Sequence, residues 1–416
     1  MRFAALRSRS YALFWGSHVL SRVGSEMRLV AFSWHVYQLT GSKLALGIIG
    51  ACRCVPVLAF GLWGGILADR LDRRRVLLAS QMFMALVSAA LFFLTRAGLV
   101  TPLLVYAAVA LIATASAFEN PARSSFVVNV LPREHLENGL ALNILGWQAA
   151  TVVGPAIGGV LLAATSLETL YAIDAISFAP LVGVLFFIRA HPAPPEHAAP
   201  PARPATTGIA AIADAMRYLR DKPVLVHLMW IDFLATLFAG ALLLLPVFST
   251  EVFHRGAQGL GWLMAAPAVG AVLASAFISS RRPIRRHGPA LLGAIAVYGG
   301  ATVAFGMTSS FWLALAMLAL SGAADTVSTV VRQVARQTMI PDEMRGRLNA
   351  IHMLFFVSGP QLGELEAGAL AEITSARVSV TAGGLACLGL ALAVTTFLPQ
   401  IRGLRVPPPP GETLRA

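Results

Sequence analysis

A handful of ionisable residues stand where the surrounding sequence leaves no water to receive them. Glu364 and Glu366 lie in Gln361-Leu-Gly-Glu-Leu-Glu-Ala-Gly368, inside a long apolar run, and Glu26, Arg28 and Arg53 interrupt two similar runs nearer the start. An ionised side chain at the centre of a bilayer costs roughly 2.5–3.5 kcal/mol or more, so each needs a partner, a proton or a wet pathway. A carboxylic acid removed from water keeps its proton more readily, which suits a proton-coupling site, whereas arginine stays charged and can hold an anionic or chelating substrate. Residues two apart are turned about 200° around a helix, so Glu364 and Glu366 cannot both face one cavity. One faces a pathway while the other pairs or sits between helices. Glu26 has Arg22 one turn below. Buried ion pairs that fix helix register are the alternative for all of these acids, and both readings stand at this point.

The remaining polar residues carry thinner signals. Asp174, Asp232 and Asp325 fall nearer the ends of their runs, where water and loop arginines reach, so structural pairing is expected. His18, His35 and His352 could relay protons, although a lone histidine more often satisfies a hydrogen bond. Trp15, Trp34, Trp147, Trp230 and Trp262 read mainly as interfacial anchors. Cys52, Cys54 and Cys387 form neither a disulfide framework nor a metal set. No Gly-x-Ser-x-Gly elbow, His-Glu-x-x-His or phosphate loop is present, so no enzyme, cofactor or metal site is expected.

The elements that hold these residues follow from composition. Of 416 residues, 57% are hydrophobic and only 12% charged. Soluble proteins use about 25% charged residues, so lipid must cover most of this surface. The charge of +12 would suit nucleic acid only as a basic patch on a soluble fold, and the basic residues are distributed otherwise. About 20 apolar residues cross a bilayer as a helix, and such runs occur near 13–37, 44–67, 76–94, 103–118, 140–164 and 170–188, then 224–248, 260–278, 291–307, 311–330, 348–370 and 378–398. The first is too long and too charged for a cleaved signal. Of the 32 Lys and Arg residues, one set of alternate loops holds 25 and the other 4, with Arg22, Arg28 and Arg53 inside spans. Positively charged loops stay in the cytoplasm, which places both termini inside.

The expectation is an all-α polytopic membrane protein of twelve helices in two pseudo-symmetric six-helix bundles, residues 1–190 and 223–400, with a cytoplasmic tail at 401–416. Between the bundles, 191–222 begins with the proline-rich His191–Pro204, an extended tether. It continues through Ile209, Ile212, Met216 and Leu219, which recur at helical spacing for a helix lying at the membrane surface. At an offset of 209 residues Arg123 meets Arg332, Pro132 meets Pro341, Glu134 meets Glu343, Gly154 meets Gly363 and Gly159 meets Gly368. Parallel repeats of this kind build rocking-bundle secondary transporters.

Gly65-Ile-Leu-Ala-Asp69-Arg70-Leu-Asp72-Arg73-Arg74 resembles the signature between the second and third helices of the major facilitator superfamily, departing from it at Asp72 and Arg74. The resemblance implies a cytoplasmic latch in which Gly65, Asp69, Arg70, Arg73 and Arg74 gate the pathway. Ala150-Thr-Val-Val-Gly154-Pro155-Ala-Ile-Gly158-Gly159 resembles the exporter signature of that superfamily, with Ala150 at its first glycine; it implies a tight, pliable helix contact. Met344-Arg-Gly-Arg347, the Gly363-Glu-x-Glu-x-Gly368 run and Trp34-x-Val-Tyr-x-Leu-Thr-Gly41 are similar to the bacterial enterobactin-exporter group. That likeness covers essentially the whole chain. It implies proton-driven efflux of a siderophore or similar metabolite across the inner membrane, with multidrug efflux as the alternative and a receptor or scaffold more remote. Its partners would be substrate, protons and lipid, without nucleic acid; the oligomeric state is left open, a monomer being sufficient.

Overall fold

The computed structural model describes residues 4–131, 133–187, 209–238, 240–280, 286–340 and 344–404, and every regular element among them is a helix. The expected tether at 191–204 lies outside the described residues, as does the tail from 405.

In chain order come α1 (Arg9–Thr40), α2 (Lys43–Arg70), α3 (Arg73–Arg96), α4 (Pro102–Val130), α5 (Leu136–Ala164), α6 (Leu167–Ser177) and α7 (Ala179–Phe187). They are followed by α8 (Ile209–Arg220), α9 (Pro223–Phe238), α10 (Leu245–Val247), α11 (Gly256–Ser280), α12 (His287–Met307), α13 (Phe311–Met339), α14 (Arg345–Ile373), α15 (Ala376–Phe397) and α16 (Pro399–Arg402). Among the described residues, ten helical stretches are long and apolar enough to cross a membrane. The other two of the twelve, α1 and α14, have 32 and 29 residues, more than the about 20 a crossing needs. They are the helices that bear Arg22, Glu26 and Arg28, and Glu364 and Glu366. Phe93, Phe187 and Phe397 are 65%, 88% and 81% exposed, as suits helices whose outer faces meet lipid.

Two spans depart from a single helix. The sixth is divided between α6 and α7. The seventh, expected unbroken over 224–248, ends as α9 at Phe238 and resumes as a 3₁₀ turn (Ala241–Leu244), α10 and a π-helical turn (Phe248–Val252). Its interruption has two causes. Gly240 approaches α14 so closely that a Cβ there would lie 2.3 Å from the Gly363 carbonyl carbon, and Pro246 offers no N–H to a regular ladder. At this break the chain changes compact unit: unit 1 is Met1–Pro201 with Leu242–Ala265, and unit 2 is Ala202–Ala241 with Ala266–Ala416. The sequence boundaries at 190 and 223 instead keep 242–265 with the second set.

Inside each unit the pairings repeat in chain order. In unit 1, α1 packs on α5, and α3 on α4 and α6; in unit 2, α9 packs on α14, and α12 on α13 and α15. The offset glycines make equivalent contacts. A Cβ on Gly154 would lie 2.9 Å from the Val23 carbonyl oxygen of α1, and one on Gly363 2.1 Å from the Leu237 carbonyl oxygen of α9. Helix α8 is not only a surface helix: Leu219 is buried with Leu225, Met229, Ile340, Leu348 and Ile351, while Met216 stays 50% exposed.

Candidate functional site

His18, Arg22 and Glu26 recur every four residues and therefore share one stripe of α1. Arg22 Nη2 stands 2.8 Å from Glu26 Oε1, so this acid is already half-buried against a cation. At the lower end Arg123 Nη1 of α4 lies 2.9 Å from His18 Nε2. Arginine only donates, so Nε2 accepts and the proton sits on Nδ1, which is 4.0 Å from Glu119 Oε1. The stripe lies close to α5 because α5 has no side chains in the way. A Cβ on Gly154 would sit 2.4 Å from the Glu26 Cβ, and one on Gly158 3.0 Å from the Met27 Cα. Gly159 faces Gly261 of α11 within the same unit, where a Cβ would meet the Gly261 Cα at 2.2 Å. The exporter-like glycines thus seat α5 on α1 and α11, with Pro155 inside the helix between them.

Arg28 points elsewhere. It pairs with Asp174 of α6, and Ser88 of α3 donates to the same carboxylate. The Arg28 guanidinium also lies 5.8 Å and 5.9 Å from the Phe32 and Phe178 ring centres. Asp174 was expected near water at a helix end, but its side chain is fully buried. The reason is local: α6 is only 11 residues long, and Gly24 lets it press against α1, where a Cβ would come 2.2 Å from Ser177 Oγ. His35 is not lone either, its Nδ1 lying 3.2 Å from Tyr171 Oη. Arg53 on α2 is half-buried.

In unit 2, Glu364 is 7% exposed and Glu366 is exposed, the opposed environments that their 200° separation requires. The densest charge in this unit lies lower down, where sequence reasoning assigned only structural pairing. Arg332 Nη2 of α13 is 2.8 Å from Asp232 Oδ1 of α9, and Arg332 also donates to Ser328 Oγ (2.6 Å) and Thr329 Oγ1 (3.2 Å). His352 Nε2 of α14 is 4.0 Å from Asp232 Oδ2. Asp232 is 3% exposed and Arg332 7%, so the expected pairing with an arginine counted among the loops is formed, but in the interior, because α13 runs on to Met339. A signal for this cluster was available: Arg332 is the offset mate of Arg123, and both stand beside a histidine and a carboxylate, Arg332 buried and Arg123 half-buried. The two trios are wired differently, with histidine in the middle in unit 1 and carboxylate in the middle in unit 2.

Of the expected latch, Gly65, Asp69 and Arg70 lie outside the described side chains. Asp72, where the signature has glycine, caps α3 by accepting from Arg74 N at 2.9 Å. Arg74 donates through Nε and Nη2 to the carbonyls of Leu185 and Phe186 (2.5 and 2.9 Å), closing the end of α7 as a cation at a helix C-terminus does. Arg73 is half-buried at the start of α3.

At the α1–α2 turn Tyr37 Oη donates to Glu251 Oε1 (2.7 Å), and Lys43 Nζ lies 3.7 Å from Oε2. The Glu251 side chain is 47% exposed, so solvent screens the pair. Glu251→Ala is expected to change unfolding stability by about 1 kcal/mol or less, read as a small change in the thermal midpoint of detergent-solubilised protein; a loss of several kcal/mol would contradict this weighting.

What the geometry offers is a set of ionisable groups held in two apolar units, with no group of three or more His, Cys, Asp or Glu placed for a metal among the described residues. The sequence pattern of the Transmembrane secretion effector family matches residues 1–406. The chain is similar to the multidrug efflux pump Tap of Mycolicibacterium fortuitum, 28% identical over 394 residues and covering 92% of this chain and 93% of that one. It is also similar to the enterobactin exporter EntS of Citrobacter koseri, 27% identical over 383 residues, 89% of this chain and 84% of that one. A crystal structure of a bacterial homolog of the human lysosomal transporter Spinster, inward-facing and occupied, superposes with TM-score 0.71 at 15% identity, covering 97% and 99% of the two chains. The nucleoside transporter NupG gives 0.67 at 14%, covering 93% and 98%. These last two bear on the fold.

Proposed function

We propose that this chain, which belongs to the Transmembrane secretion effector family of the major facilitator superfamily, exports a siderophore or similar small metabolite from a bacterial cytoplasm by proton-coupled alternating access. Membership makes it a multi-pass membrane transporter whose partners are a small-molecule substrate and the lipid bilayer. The observation that carries the finer reading is the placement of acids on the two charged spans. Glu26 lies half-buried beside Arg22 and Glu364 is buried on α14, in spans where a carboxylate that gains and loses a proton changes the local charge by one. Similarity to EntS over 89% of the chain supports the substrate class. Multidrug efflux is the second reading, favoured by similarity to Tap of almost equal identity over 92%. The 25-to-4 loop asymmetry supports an inner-membrane orientation with both termini in the cytoplasm, and a monomer suffices.

The test uses proteoliposomes carrying an imposed pH gradient and, in parallel, a deletion strain. A siderophore exporter moves a catecholate siderophore against the gradient, and the strain retains that siderophore inside; a multidrug pump moves ethidium, and the strain becomes drug-sensitive. Glu26→Gln is expected to uncouple the movement, leaving exchange of substrate but no response to the pH gradient. Full gradient-driven transport by Glu26→Gln would remove this acid from the mechanism.

A further inference from the structure

Three arginines of the spans bring their own counter-charge: Arg28 is held by Asp174, Arg22 by Glu26 and Arg332 by Asp232. Arg123, on α4 in unit 1, is held otherwise. Both of its hydrogen-bond partners are neutral side chains, Nη1 meeting His18 Nε2 at 2.9 Å and Nη2 donating to Asn120 Oδ1 at 2.9 Å. Its Nε is buried and has no partner among the described residues. Nε and Nη2 share one edge of the planar guanidinium, an edge that grips a carboxylate through two parallel bonds. Asn120 therefore fills one prong of a fork whose other prong is empty. Two more donors of the same cluster lack acceptors, Arg22 Nε and His18 Nδ1, the latter carrying a proton because Nε2 accepts from Arg123. Three buried donors without acceptors are costly to leave so, and the acids nearby do not answer them. Glu26 is engaged by Arg22 through Oε1. Glu119, one turn from Arg123 on α4, is 6% exposed and stands 4.0 Å from His18 Nδ1. By contrast Asn120 is exposed and Arg123 half-buried, and the Arg22 side chain is 29% exposed against 13% for Glu26. The reachable edge of the cluster is its cationic one.

We infer that Arg123, with Arg22 across His18 from it, binds an anionic oxygen of the transported molecule, a carboxylate or a catecholate, which replaces the Asn120 amide oxygen and takes Nε and Nη2 together. The inference rests on the exporter reading and deepens it by giving the substrate a charge. It also separates the two substrate classes, since a cationic drug such as ethidium gains nothing from two guanidiniums. The role that the sequence suggested for Arg28, holding an anionic or chelating substrate, passes to Arg123 because Asp174 already neutralises Arg28. A histidine that accepts from Nη1 fixes the guanidinium plane, so the fork is set before the ligand arrives and little is lost in ordering it.

Equilibrium binding to the full chain in nanodiscs tests this with two probes of similar shape: dihydroxybenzoate, which carries a carboxylate, and catechol, which is uncharged near neutral pH. The wild type is expected to prefer dihydroxybenzoate by about tenfold or more, as a charge-assisted pair of bonds implies. Arg123→Gln is expected to abolish that preference, and Arg123→Lys, which keeps the charge without the fork, to retain part of it. The ratio of the two affinities does not respond to a general loss of folded protein, so a purely structural role for Arg123 leaves it unmoved. A wild type that binds dihydroxybenzoate no better than catechol overturns the proposal, as does a full preference in Arg123→Gln. Should the Gln variant fail to fold, Arg123→Lys decides: a reduced preference supports the site and an undiminished one overturns it. The two readings fail separately. Siderophore export by a chain whose anion preference ignores Arg123→Gln sinks this site and spares the exporter, whereas an Arg123-dependent preference in a chain that moves only ethidium keeps the site and sinks the siderophore.

Discussion

Asp174→Ala is expected to destabilise unit 1 by about 3–5 kcal/mol, because it strands the Arg28 guanidinium, 4% exposed, without a counter-charge. Two features make the site unforgiving. The carboxylate collects both Arg28 and Ser88, and the partners come from α1, α3 and α6, so no single helix can turn away to restore hydration. The double substitution Arg28→Met with Asp174→Leu is expected to recover most of the loss, since well-packed apolar residues of similar size often replace a buried ion pair at little cost. Thermal unfolding of the purified single and double variants measures both quantities and the coupling between them. A single variant as stable as the wild type would show that Arg28 reaches water. The contrast with Glu251, also in an ion pair but half exposed, isolates burial as the cause.

The second large effect belongs to Gly154→Val. A Cβ there meets the Glu26 Cβ at 2.4 Å and the Val23 carbonyl oxygen at 2.9 Å, and the latter is main chain that cannot rotate aside. Overpacking of a tight contact costs about 1–3 kcal/mol or more, and here the relief available is displacement of α1 from α5, carrying the His18–Arg22–Glu26 stripe with it. Loss of monodisperse protein, or loss of gradient-driven transport in whatever folds, is the expected result. Gly183→Val is the control: no heavy atom lies within 4 Å of its Cβ position, so a change of about 0.5 kcal/mol or less is expected. Equal behaviour of the two variants in a size-exclusion and thermal assay would mean that α5 is not seated on α1 through this glycine.

The candidate site was unevenly legible. Glu26, Arg28, Glu364 and Glu366 stood out because a charge in an apolar run is costly wherever the helix faces. Asp174 and Asp232 were read as structural pairs within reach of water and loop arginines; both are paired with arginine, but away from water, because a short helix such as α6 or an added helix such as α8 closes over the end. The break in the seventh span was unreadable for a similar reason. Gly240 and Pro246 are tolerated in many membrane helices, and only the approach of the Gly363 backbone turns them into an interruption.

Class, number of crossings and internal repetition were determined by the sequence by itself. The bilayer penalises charge and open backbone residue by residue, so its demands are written in linear order, and the 209-residue offset survives as matched arginines and glycines. Partner identity was decided by the tertiary structure: Arg28 meets a carboxylate 146 residues away, and Arg332, counted among the loop arginines, meets Asp232 in the interior of unit 2. Such choices depend on how far each helix is rotated and how closely a glycine lets its neighbour approach, and neither quantity is carried by a local pattern.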